Sequence, residues 1–79
     1  MIIKQVKISL KTKIKVYEKH NITMEEIKNA LLEGEPYFSK TRDGRYAALG
    51  KSSRFITTIF NYEEKHKEAE IITAYPSSD

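Results

Sequence analysis

Residues 54–62 read Arg-Phe-Ile-Thr-Thr-Ile-Phe-Asn-Tyr, the strongest strand-forming run in the chain. Between positions 55 and 60 every side chain is β-branched or aromatic, and such side chains favour strands. A second run, residues 69–75, ends at Pro76, which cannot continue a strand. The charged residues 63–68 separate the two runs, so the sequence predicts two antiparallel strands joined by a charged turn.

Two further strands are predicted upstream of this pair. Residues 37–42 and 45–51 flank Asp43-Gly44, a dipeptide typical of hairpin turns. Ser52-Ser53 then marks the next turn. The sequence therefore predicts an antiparallel meander that begins at Tyr37 and ends at Tyr75.

A helix is predicted before the meander, over residues 24–33. Thr23 can cap its first turn, and Glu26 three residues later completes a capping box. Gly34, expected in the left-handed conformation, and Pro36 end the helix. Its apolar side chains recur at helical spacing and predict a buried stripe: Met24, Ile27 and Leu31, with Ala30 and Leu32 beside them.

The N-terminal segment is ambiguous in part. Residues 2–9 alternate between apolar and polar side chains, which predicts a strand. Over residues 10–20 the alternation continues, but Leu10, Ile14 and Tyr17 also form a helical stripe with lysines around it. Periodicity leaves both structures open for this segment. In either case the chain is an α+β protein.

Length and composition exclude several classes of protein. The 79 residues make one domain, residues 1–79, and the absence of cysteine excludes disulfides, thiolate metal sites and a thiol nucleophile. His20 and His66 have no helical pairing or nearby carboxylate pattern, so we expect no metal site and no cofactor. Lys4 and Lys7 interrupt the apolar N-terminus, so we expect no signal peptide, no membrane association and a cytoplasmic location.

Charge alternates along the chain in four blocks. Residues 1–20 carry a net charge of +5 and residues 37–54 carry +4, whereas residues 21–36 and 55–79 each carry −3. If the two basic segments share a face, that face attracts phosphates. Arginines and lysines mixed with tyrosines also suit RNA, whose unstacked bases lie against aromatic rings.

A few side chains are candidates for chemistry. His20, after Lys19, precedes the helix cap and is a candidate for proton transfer at neutral pH, although a surface position at the end of a basic stretch is the simpler explanation. Arg45 and Arg54 lie at strand starts, where guanidinium groups can bind phosphate with two hydrogen bonds. There is no glycine-rich phosphate loop and no serine-based triad, so nucleotide-binding and conventional hydrolase classes have no support.

Three motifs, taken together, resemble a small prokaryotic family of unknown function related to the RelE/ParE toxins and to the BrnT toxins. The match covers roughly residues 10–76. The motifs are Asn-Ile-Thr-Met-Glu-Glu (21–26) with Leu-Leu-Glu-Gly (31–34), Asp-Gly-Arg-Tyr (43–46) with Leu-Gly-Lys (49–51), and Ile-Ile-Thr-Ala-Tyr-Pro (71–76).

The resemblance implies a RelE-like fold: an N-terminal strand and two short helices packed on a three- to four-stranded antiparallel sheet. It favours helix for residues 11–20.

The resemblance also implies a metal-independent endoribonuclease toxin that acts on mRNA and is held inactive by an antitoxin protein. The site residues that it implies are Lys19, His20, Arg45, Arg54 and Tyr75. In this hypothesis His20 transfers a proton, the two arginines clamp the phosphate, and Tyr75 stacks on a base or transfers a proton.

The sequence departs from the family at two positions. Thr12 stands where related chains have a histidine, and Thr73-Ala74-Tyr75 stands where BrnT-like chains have Ser-Ala-Arg. The alternative hypothesis is therefore a non-catalytic module of the same fold that binds protein or nucleic acid. Convergence of the five side chains on one concave surface would favour the enzyme. No pattern in the sequence indicates an oligomeric state.

Overall fold

The computed structural model describes residues 1–77 and consists of two helices packed on one five-stranded mixed sheet. In chain order the elements are β1 (Gln5–Lys7), α1 (Leu10–His20), α2 (Met24–Leu32), β2 (Tyr37–Lys40), β3 (Tyr46–Lys51), β4 (Phe55–Glu63) and β5 (Glu68–Pro76). The α+β class and the C-terminal meander are confirmed.

The sheet has five strands and is mixed, whereas the resemblance implies an antiparallel sheet of three to four strands. The sheet order is β1-β5-β4-β3-β2, and β1 pairs in parallel with β5 while all other pairs are antiparallel. The sequence alternation over residues 2–9 does correspond to a strand, but only Gln5–Lys7 are paired. Val6 lies opposite Ala69, so β1 adds a fifth strand at the start of β5.

The core lies between the helices and one face of the sheet. Ile56, Thr58 and Phe60 alternate along the central strand β4 and are fully buried. From α2, Ile27 and Leu31 are buried against β3 and β4, as the helical stripe predicts. Met24 and Leu32, also predicted in this buried stripe, are half-buried and exposed. A Cβ atom at Gly50 would overlap the Ala30 carbonyl oxygen. Because Gly50 has no side chain, the backbone of α2 packs directly against the backbone of β3.

Residues 10–20 form a helix, which settles the ambiguity of this segment. Ser9 caps the helix by accepting a hydrogen bond from the backbone N–H of Thr12, 3.2 Å away. Val16 is the buried residue of α1, and α1 packs against β5. The stripe of Leu10, Ile14 and Tyr17 faces solvent instead.

The end of α2 differs from the prediction. Gly34 does not have a positive φ, whereas Glu35 does, at 46°. Gly34 is needed for a steric reason, because a Cβ atom there would overlap the backbone oxygen of Lys51. In the β2–β3 turn Gly44 does adopt a positive φ, 84°.

Candidate functional site: a basic groove between α1 and β5

The second half of β5 is covered by a helix rather than by a strand. β1 pairs only with Glu68–Glu70, and the β4–β5 register shifts between Ile59 and Phe60, which leaves Ile72 as an extra residue in β5. α1 lies along this part of β5. The space between them is a groove of about 150 Å³, lined by Thr12, Lys15, Val16, Lys19, His20, Ile72 and Thr73.

Helical spacing brings the groove side chains of α1 together. Val16 and His20 are one turn apart, as are Lys15 and Lys19, so the four occupy one side of the helix. Val16 is buried and fixes the helix on the sheet, while both lysines are exposed. Two ammonium groups and an imidazole line the groove, and no carboxylate does. The groove therefore attracts anions.

Tyr75 lies beside the groove. Its ring centroid is 6.5 Å from that of His20, with the two ring planes tilted by 55°. His20 is half-buried in the last turn of α1, and Tyr75 is exposed near the end of β5. The structure thus brings together three of the five predicted site residues: Lys19, His20 and Tyr75.

Arg54 is engaged with the protein's own acceptors. Its Nη2 donates to the carbonyl oxygens of Asn21, at 2.7 Å, and His20, at 3.4 Å. Its Nε pairs with Oε2 of Glu26 at 3.3 Å, and Glu26 in turn completes the capping box with Thr23. The guanidinium therefore fastens the corner between the two helices to the start of β4, next to the groove rather than inside it.

Arg45 lies away from the groove. It precedes Tyr46, which pairs with Phe60, whereas Tyr75 pairs with Thr57 on the other side of β4. Those two β4 positions are about 10 Å apart along the strand. The five predicted site residues therefore do not all converge on one surface.

The Arg45 side chain belongs to the β2–β3 turn. Its Nη1 lies 3.7 Å from Oδ2 of Asp43. The hydroxyl of Thr41 donates to Asp43 and is the main cause that lowers the pKa of this carboxyl, with a smaller contribution from the Arg45 charge. These contacts order the turn.

His66 is solvent-exposed in the β4–β5 turn. Its backbone N–H donates to Oε2 of Glu63, and its ring Nδ1 lies 2.6 Å from Oε1. The backbone hydrogen bond first, and the ring second, lower the pKa of Glu63. Neither histidine belongs to a metal-binding cluster, because residues 1–77 contain no group of three or more suitable side chains.

Lys15 was not singled out from the sequence, and Thr12 and Thr73 were noted only as departures from the family pattern. Lys15 and Thr12 lie with His20 only if residues 10–20 are helical, and the alternating pattern left that open. Thr73 enters the groove because of the irregularity in β5, which no local sequence pattern indicates.

Comparisons of the chain with protein-family profiles, curated proteins and solved structures find no significant match. Neither α1 nor α2, the two helices of residues 1–77, is long and apolar enough to cross a membrane.

Proposed function

We propose that this protein is a metal-independent endoribonuclease that binds single-stranded RNA in the groove between α1 and β5. The observation that supports the proposal is the meeting of Lys19 and His20 with Tyr75, which comes from the opposite end of the chain. The groove is lined by lysines and by no carboxylate, so it can bind the negatively charged phosphodiester groups of RNA.

The proposed reaction is an internal transesterification. The ribose 2′-oxygen attacks the adjacent phosphorus atom and loses its proton, the bond to the 5′-oxygen of the next nucleotide breaks, and that oxygen gains a proton. The products are a 2′,3′-cyclic phosphate and a 5′-hydroxyl. His20 transfers the proton, because histidine is the side chain that ordinarily changes charge between pH 5 and 8. The ammonium groups of Lys15 and Lys19 stabilise the negative charge that develops on the phosphate oxygens.

Tyr75 is assigned a binding role. Its exposed ring stands next to His20, where the base beside the scissile phosphate would lie. Stacking on such a ring contributes about 1–3 kcal/mol per base. Arg54 acts as a positioning residue, because it holds the carbonyl groups at the end of α1 and so fixes the backbone that carries His20.

The partners and location follow from the family resemblance. We propose that the substrate is mRNA, that an antitoxin protein holds the enzyme inactive, and that both act in the cytoplasm. The second candidate is a non-catalytic RNA-binding module. It is favoured by one observation: Arg45 and Arg54 both lie outside the groove, so lysines are its only permanent cations.

The test is incubation of the purified protein with a long single-stranded RNA, with and without EDTA. We expect cleavage in chelator and fragments ending in a 2′,3′-cyclic phosphate. His20→Ala should lower the rate about 10²–10⁴-fold with little loss of RNA affinity. Tyr75→Ala should weaken RNA binding, whereas Tyr75→Phe, which keeps the ring, should not.

Lys65→Ala is the matched control, because Lys65 is an exposed lysine in the β4–β5 turn. RNA binding without cleavage by the wild type would select the non-catalytic module. If His20→Ala cleaves as fast as the wild type, the groove is not the active site.

A further inference from the structure

One side of the sheet faces away from the helices. On the helix side, Ile56, Thr58 and Phe60 of β4 are buried. The alternate residues of β4 point to the other side and are exposed or half-buried: Phe55, Thr57 and Ile59. We call this second side the open face, because neither helix of residues 1–77 packs on it.

A row of side chains crosses the open face on the four antiparallel strands β2 to β5. Tyr37 lies opposite Leu49, which lies opposite Thr57. Thr57 in turn lies opposite Tyr75. Residues that lie opposite each other share a face of the sheet, and three strand spacings make the row about 14 Å long. Tyr37 is 75% exposed and Tyr75 is 40% exposed, so the row ends in an accessible aromatic ring on each side.

The charge of the open face near this row is positive. On one side of the row Lys51 pairs with Phe55, and its Nζ lies 5.4 Å from the centroid of that ring. The row on the other side is uncharged and consists of Ser39, Ala47, Ile59 and Thr73. Along the β4–β5 pair the nearest carboxylate on this face is Glu70, opposite Asn61 and about 14 Å along the strand from Thr57.

The open face is continuous with the α1–β5 groove. Tyr75, at the end of the row, has its ring beside that of His20. Thr73, in the neighbouring uncharged row, lines the groove itself. A strand of RNA with one phosphate at His20 can therefore continue onto the open face without leaving the protein surface.

We propose that the open face binds the unpaired nucleotides next to the phosphate in the groove, with bases stacked on Tyr75 and Tyr37. Four-stranded sheets of RNA-binding modules stack two or three bases on their aromatic rings in this way. Stacking of this kind needs bases that are free of a duplex, so the face selects single-stranded RNA. The inference rests on the proposed function, because it follows the same RNA out of the same groove.

A protein partner fits the open face less well than RNA does. The centre of a protein interface is packed as closely as a protein interior and is more apolar than its rim. Here Thr57 lies in the middle of the row, and the hydroxyl groups of Ser39 and Thr73 adjoin it. Separate rings with hydroxyl groups and a lysine between and beside them match bases and phosphates instead.

The probe is a single-stranded RNA of about eight nucleotides, long enough to pass from the groove across the row. Each 2′-oxygen is methylated, which blocks the attacking group, so binding is measured without cleavage. Fluorescence anisotropy gives the affinity of the full chain for this strand and for its duplex with a complementary strand. We expect the single strand to bind at least tenfold more tightly than the duplex.

Variants locate the bases. Tyr37→Ala should weaken binding of the single strand at least fivefold, the lower limit for the loss of one stacked base, whereas Tyr37→Phe keeps the ring and should bind as the wild type does. Tyr17→Ala is the matched control, because Tyr17 is an exposed tyrosine of α1 that does not line the groove. Lys51→Ala should make the log–log salt slope less steep by about 0.7. Far-UV circular dichroism checks that each variant is folded.

An equal effect of Tyr37→Ala and Tyr17→Ala, or equal binding of the single strand and the duplex, would overturn the proposal. Loss of binding in Lys15→Ala/Lys19→Ala with none in Tyr37→Ala would confine the RNA to the groove and would overturn this inference alone. Dimerisation that Tyr37→Ala abolishes would assign the face to a second copy. If Tyr37→Ala weakens binding but the wild type does not cleave unmodified RNA, the catalytic proposal fails and this one stands.

Discussion

Arg54 joins three parts of the molecule with one side chain. It contacts the carbonyl groups that end α1, the capping-box carboxylate that begins α2, and its own strand β4. The carbonyl end of a helix carries partial negative charge, so the guanidinium is attracted there as well as hydrogen-bonded. In the sequence Arg54 is a candidate phosphate ligand. Its contacts within the protein already explain why an arginine stands at this position.

Arg54→Ala should lower the free energy of unfolding by about 1–2 kcal/mol. Hydrogen bonds to charged groups contribute about 1.5–3 kcal/mol, reduced here because the side chain is partly exposed. Urea denaturation measures the change. Arg45→Ala is the control, since its exposed ion pair with Asp43 should contribute less than about 1 kcal/mol. Equal losses in the two variants would contradict the assignment of Arg54 to the helix corner.

Thr58 offers a second test at the residue scale. Its side chain is fully buried, and its hydroxyl oxygen has no hydrogen-bond partner in the structure. A buried hydroxyl without a partner costs about 1–3 kcal/mol, and valine has nearly the same shape. Thr58→Val should therefore raise the free energy of unfolding by about 1 kcal/mol in urea titrations. A decrease would mean that the hydroxyl is satisfied in solution.

At the scale of elements, α1 is where sequence reasoning was weakest. Its apolar residues were visible, but Leu10, Ile14 and Tyr17 suggested a buried stripe that the structure turns outward. The buried contact is the single Val16, which belongs equally to the alternating pattern. α1 packs against β5, which is distant in sequence, so its partner is present only in the assembled sheet.

Elements with strong local signals were predicted well. The capping box of Thr23 and Glu26 is present, and the helix that it begins ends within one residue of the predicted position. β4 and β5 match their predicted runs to within one residue at each end. By contrast, β1 pairs with a strand near the far end of the chain, and no local pattern encodes such a partner. His20 and Tyr75 are likewise far apart in the sequence, so only the folded chain shows that they are neighbours.

The β4–β5 turn carries a pH-dependent contact. The pKa of Glu63 lies below its ordinary value of 4.5 because the His66 backbone and ring bond to the carboxylate. The stabilisation is therefore present above pH 4.5 and is lost as the pH falls through the lower, folded pKa. Carboxyl carbon NMR should show Glu63 titrating below pH 4.5 in the folded protein.

His66→Ala separates the two hydrogen bonds to Glu63. The backbone N–H remains and the ring is lost, so the midpoint of Glu63 should rise only part of the way to its ordinary value. Glu63→Gln should remove the pH dependence of the turn altogether. An unchanged midpoint in His66→Ala would show that the ring does not contact the carboxylate in solution.

For the whole molecule, the net charge of +3 is less informative than its distribution. The lysines of α1 line the α1–β5 groove and the neighbouring surface, whereas Arg45 lies in the β2–β3 turn. The expected positive face is thus concentrated on a single helix. Non-specific RNA binding should accordingly depend more on this helix than on the second basic segment.

Salt titrations test this distribution. The affinity for a single-stranded RNA should fall with salt, with a log–log slope of about −0.7 for each phosphate neutralised. Lys15→Ala/Lys19→Ala should make that slope less steep by about 1.4, since both lysines line the groove. Lys65→Ala, in the β4–β5 turn, should leave it nearly unchanged. A slope that the double variant does not alter would place the RNA elsewhere.

The parallel pairing of β1 with β5 bears on the order in which the molecule folds. β2 to β5 form a meander of neighbouring strands, whose contacts close short loops, whereas the pairing of Gln5 with Glu68 closes nearly the whole chain. Closing a long loop costs more entropy and is slow unless its ends are already ordered. We therefore expect the meander to form first and β1 and α1 to pack on it afterwards. The groove that carries His20 would then be completed late in folding.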